Sequence, residues 1–194
     1  MRKQPIHLLL SGGDRRSIGK SNRVVALVMR RPRTLVELML CLWNRDPLVR
    51  MRAADAAEKI SALRPGCLAP FKAELLGLAG EAIQPELRWH LARMLPRLPL
   101  NAPERDRAAA RLREFLSDRS SIVRTMALQG LFELALGHPA REEEIGRLLE
   151  THSRVGSPAV KARSRLLLKQ LASKTCAREK SASPRGNRQR PARG

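Results

Sequence analysis

The chain has 194 residues, 43% of them apolar, which suits one domain with a continuous buried core. Tyrosine is absent and aromatic residues make up 3%, so the core must be built from Leu, Ala, Val and Ile; that palette favours helices and leaves no strand candidate of useful length. A net charge of +20 makes polyanions attractive partners, and no window approaches the roughly 18 apolar residues of a membrane span.

Residues 1–33 read as an N-terminal segment with a capping helix. Ile6–Leu10 suits one helical turn, closed by Ser11-Gly12-Gly13; interrupted by His7, it is too short for a signal peptide. Gly13 to Ser21 is a near miss to a phosphate-binding loop: five residues separate Gly13 from Gly19 where four are needed, and no strand precedes it. Lys20 and Ser21 are therefore read as a helix entry. Ser21 is placed to cap a helix with the stripe Val24, Val25, Leu27 and Val28, stopped by Pro32.

Four helical hairpins are predicted next, over 34–66, 67–102, 103–139 and 140–172. The first pairs Thr34–Trp43 with Pro47–Ala62, using Asp46 as N-cap and Pro47 at the first helical position. The second pairs Pro70–Gly80 with Pro85–Arg97, and the third Pro103–Leu116 with Ile122–Leu136. The fourth pairs Arg141–His152 with Pro158–Leu171. Over 173–194 apolar periodicity stops, and residues 174–194 hold seven bases against one acid, Glu179. This basic tail is expected to be disordered. Cys41, Cys67 and Cys176 have no paired spacing, so neither a disulfide framework nor a zinc site is implied, and a reduced cytoplasmic location is expected.

The second helix of each hairpin repeats one theme, set out most fully in Pro47–Ile60 (PLVRMRAADAAEKI). Its basic residue recurs at Arg50, Arg88, Arg124 and Lys161, at spacings of 38, 36 and 37. A fixed period near 37 marks a stacked array of helical hairpins. Over roughly 34–171 the chain resembles the HEAT-repeat superfamily, and in particular small bacterial HEAT-repeat proteins of undefined activity. The resemblance implies an all-α fold, an armadillo-like α-solenoid of about four hairpins, whose second helices line a concave recognition surface. The acidic residue usual six positions before the base is present only as Asp118. Asn44, Ala82 and Val155 hold the other three positions, which weighs against a regular Asp–Arg ladder.

The ladder has two readings: a rail for phosphates or carboxylates, or a structural row in which each base bonds a neighbouring turn. The second is favoured, because a partly buried arginine needs a fixed partner. Arg50, Arg124, Lys161 and Asp118 are assigned to that structural row. Arg52, Arg88, Arg93, Arg97, Arg163, Arg165 and Lys169 are the expected partner contacts. Glu86 precedes His90 by four residues but no second histidine completes a zinc helix, so His90 and Trp89 are read as helix-packing residues, with no metal and no cofactor. HEAT-like DNA glycosylases use an acid and aromatic side chains on a basic face; Asp46, Asp55, Trp43 and Trp89 would be the residues here, without a matching motif. The reading adopted is a non-catalytic scaffold or adaptor holding an acidic protein on a basic concave face. Nucleic acid, bound through its phosphate backbone, is the alternative, although five aromatic residues make a poor stacking platform.

Overall fold

The computed structural model describes residues 4–14 and 16–182, and their regular structure is helical throughout. Ten α-helices follow in order: α1 (Ile6–Leu10), α2 (Ser21–Arg30), α3 (Leu35–Leu40), α4 (Pro47–Leu63), α5 (Lys72–Glu81), α6 (Pro85–Met94), α7 (Ala102–Phe115), α8 (Ser121–Ala135), α9 (Pro139–Arg154) and α10 (Pro158–Ala182).

Local chemistry explains most boundaries. Asp46 accepts the Leu48 N–H at 2.8 Å, and Pro47 stands where no intrahelical donor is lost. Asn101 and Glu104 form a reciprocal capping box at α7. Proline shortens two expected helices. Pro65 and Pro70 hold Pro65–Phe71 as a 3-10 helix, so α5 begins only at Lys72. Pro96 ends α6 at Met94 and leaves a 3-10 turn over Leu95–Arg97. Ser21 does not cap α2, because its hydroxyl donates instead to Asp55 on α4.

The even-numbered helices α2, α4, α6, α8 and α10 pack side by side as one layer. Small residues bring them close: Ala53, Ala54, Ala56 and Ala57 of α4 are all fully buried. At Gly130 of α8 a Cβ would stand 2.5 Å from the Ala92 carbonyl oxygen of α6. The other layer is looser, with an open groove between α5 and α7 lined by Leu76, Gly77, Arg107 and Ala110. A stack with one tight layer and one spread layer curves toward the tight one, so α4, α6, α8 and α10 form the concave side.

The disorder expected from residue 173 does not hold for 173–182. There α10 continues as helix, and Arg178 makes two bonds to the Glu142 carboxylate of α9, at 2.6 and 2.7 Å. Glu142 is nearly enclosed and also accepts the Gly137 N–H at 2.8 Å. Charge pairing thus extends the helix past the last apolar repeat position. The remainder of the expected tail, 183–194, lies outside the described residues. Among the described residues no helix is long and apolar enough to cross a membrane.

Candidate functional site

The basic ladder closes its own turns. Arg50 donates to the carbonyls of Asn44 and Arg45 at 2.8 and 3.1 Å, and to Gln84 Oε1 of the next hairpin at 3.1 Å. Arg88 donates to the Ala82 carbonyl at 2.6 Å and ion-pairs with Asp118 of the next hairpin. Its guanidinium carbon also lies 5.5 Å from the centre of the Phe115 ring. Arg124 donates to the carbonyls of Asp118 and Arg119. Each arginine reaches the carbonyl six residues back, a group every residue carries. Asn44 and Ala82 therefore serve as well as Asp118. Arg88, expected among the partner contacts, is committed to this turn edge. Lys161 keeps the register, but its amine makes no bond among the described residues.

Arg52 corrects the sequence reading most sharply. Expected as a partner contact, it is 2% exposed. Its guanidinium donates to the carbonyls of Leu10, Gly12, Asp14 and Ser17 at 2.8, 2.6, 2.9 and 3.1 Å. The loop that looked like a phosphate cradle is the reverse. Its carbonyls converge on a cation, whereas a phosphate loop turns N–H groups inward. Gly19 makes this possible at φ +53°, where a Cβ would lie 2.7 Å from Arg52 Cζ.

Across the concave side a polar chain links helix to helix. Lys59 of α4 bonds Asp55 at 2.6 Å and Asn22 of α2 at 2.8 Å. Glu58 receives both Arg93 and Arg97, at 2.9 and 2.8 Å. The two guanidinium groups outweigh burial, which acts the other way, and hold the Glu58 carboxyl below the usual range. Arg93 also reaches Met126 Sδ at 3.8 Å, and Arg163 donates to Gln129 Oε1 at 3.1 Å. Asp55, Glu58 and Glu133 thus share the face with Lys59, Arg93, Arg97 and Arg163. On this side the bases are interleaved with acids, because Asp55, Glu58 and Glu133 fall between the period-37 positions.

His90 lies within this face, 8% exposed, with its ring edge-on to Trp89 at 5.0 Å. Burial pushes its pKa from 6.5 down to about 4, against the pull of Asp55 and Glu58. Between those values the unfolded chain takes up a proton that the folded chain refuses. The stability linked to His90 is complete above pH 6.5 and is lost as pH falls toward 4. Acidifying from pH 7 to 5 is expected to cost about 2 kcal/mol through this residue. Denaturant titrations at both pH values check it: His90→Gln should flatten the dependence by that amount, and an unchanged dependence would refute the assignment.

The fold now has an external comparison. A solved structure of a designed armadillo repeat protein superposes on 86% of this chain and 81% of that one, with a TM-score of 0.56 at 17% identity. The chain is a helical-repeat solenoid. No family model matches it, and no curated protein sequence does.

Asp46, Asp55, Trp43 and Trp89, the residues weighed for a glycosylase-like site, each make a structural contact. Among the described residues no group of three or more His, Cys, Asp or Glu is placed to hold a metal ion. Asp46 is spent on its cap and Asp55 on Ser21 and Lys59. Trp43 stands beside Ile83 and Leu87 at a turn, while Trp89 packs on His90.

Among the described residues, groups of exposed cations without ion pairs stand at both ends of the solenoid, besides single ones such as Arg45 and Arg119 at its turns. On α10, Arg165 and Lys169 are exposed and make no ion pair or side-chain hydrogen bond among the described residues. Arg165 is two residues from Arg163, about 200° round the helix, so it faces the open end of the stack and not the concave side. At the other end stand Arg16, Lys20, Arg23, Arg30, Arg31 and Arg33, all exposed. The sequence reading passed over this second group because it falls outside the repeat period. Its signal was a run of bases without an acid.

Proposed function

We propose that the solenoid is a non-catalytic adaptor that binds an acidic protein segment, chiefly through the open side of its last helix and less through the concave face. The observation that carries this is the side of α10 formed by Ala162, Arg165, Leu166, Lys169 and Ser173. These positions follow helical spacing, all are exposed, and Leu166 is 46% exposed between the two unpaired cations. From Val155 through Lys174 there is no acid. An amphipathic acidic segment matches both the charge and the apolar centre. Arg163 and the half-exposed Arg93 extend the surface toward the concave side.

The concave face suits nucleic acid less well. A polyanion there meets Asp55, Glu58 and Glu133, whereas a protein can place its own donors against them. The test is affinity capture from nuclease-treated extract, comparing the full chain with Arg165→Glu/Lys169→Glu. Acidic proteins held by the first should be reduced at least tenfold with the second, at unchanged helicity. Equal retention by both, or no acidic protein held by either, would overturn the reading.

A further inference from the structure

The six bases from Arg16 to Arg33 have no acid among them, and the acids nearby are engaged elsewhere. Asp14 accepts the Arg16 N–H, Glu37 accepts the Ile6 N–H, and Asp55 is held by Ser21 and Lys59. The outer helices handle charge differently: Arg113 pairs with Glu144, Arg141 with Asp106 and Arg147 with Glu143. Arg23, Arg30 and Arg31 border one groove between α1 and α2, with Gln4 at its rim and Leu9 and Leu27 as its wall. Among the described residues, the trio makes one side-chain bond, from Arg30 Nε to the Ala26 carbonyl at 3.2 Å. Like charges gathered in a groove without counter-charge raise the local positive potential and attract anions.

We propose that this N-terminal end is a separate binding surface for the phosphate backbone of a nucleic acid. Guanidinium forks bind phosphate oxygens in pairs. Arg23 and Arg30 stand two helical turns apart, about 10 Å, so one phosphate cannot meet both, while a phosphodiester chain can. A bilayer would call for a row of apolar side chains on the element that carries the bases; from Arg16 to Arg33 that element exposes one, Ile18, while Leu8 on α1 and Val36 and Leu40 on α3 are exposed singly. The Arg52 cage fixes the loop that carries Arg16 and Lys20, so the surface is preformed.

The test uses the full chain with fluorescent duplex DNA and duplex RNA, titrated between about 50 and 200 mM salt. Arg23→Ala/Arg30→Ala/Arg31→Ala should bind at least tenfold more weakly at the low-salt end. Its log–log salt slope should be shallower by roughly 2–3, since each lost phosphate contact removes about 0.9 on a DNA duplex. The Arg→Lys triple variant should keep the slope, and Arg93→Ala should keep both slope and affinity. Thermal melts confirm that the variants are folded. Equal slopes for the alanine triple and the parent chain would overturn the proposal. So would binding confined to phosphatidylserine vesicles, or an Arg93→Ala loss equal to that of the triple.

Discussion

Arg52→Met is expected to destabilise the N-terminal end of the solenoid by about 3–5 kcal/mol, the range for breaking a buried charged network. The side chain keeps the volume but removes every donor, leaving the carbonyls of Leu10, Gly12, Asp14 and Ser17 without partners. The Leu10 carbonyl, whose bond is the buried one of the four, costs about 1–3 kcal/mol when orphaned, and the part-buried other three cost less. The chain limits that cost by releasing the loop from α4, and the cost becomes the loss of the loop's docking. Hydrogen exchange should therefore accelerate in 11–20 and α1, while α6 to α10 keep their protection, as nearest-neighbour stability in a repeat array requires. Arg52→Lys should fall near the methionine variant, because one ammonium cannot serve carbonyls arranged around a planar fork. Gly19→Ala approaches the same cage from outside, with its Cβ placed 2.7 Å from Arg52 Cζ. Unchanged exchange in Arg52→Met would mean that the loop is held by something else.

Gly130→Ala is expected to lower stability by about 2 kcal/mol, roughly 4–8 °C in Tm for a chain of this size. Helix propensity alone predicts the opposite sign, a gain of about 1 kcal/mol. The close approach of α6 decides otherwise. The new methyl would lie 2.5 Å from the Ala92 carbonyl oxygen and 2.9 Å from Leu112 Cδ1. A side chain can rotate away, but a backbone carbonyl inside a helix cannot, so α6 and α8 must separate. That loosens the tight layer midway along the stack, between the second and third hairpins. Calorimetry on the two proteins gives the answer, and a Tm equal to or above that of the parent would show that the layer yields freely.

Much of the architecture was legible because it depends on local signals. Proline opening the second helices at Pro47, Pro85 and Pro158, Asp46 as a cap, and a period near 37 each act within a few residues of where they are read. The same local reading failed where partners are far apart in sequence. Arg52 and Arg93 both looked like surface bases on a second helix. One meets a loop 35 to 42 residues away and is buried; the other finds Glu58 35 residues back and stays half exposed. The α10 extension shows the same limit, since Arg178 finds Glu142 36 residues earlier.

The sequence by itself determined a helical array with its repeat length, its turns and its large positive charge, because periodicity and capping are properties of neighbouring residues. Only the tertiary structure decided which positive charges are available. Ion pairing and burial depend on which side chains the stacking of hairpins brings together, and that stacking ties Arg52, Arg88, Arg93 and Arg97 to fixed partners while Arg23, Arg165 and Lys169 stay exposed.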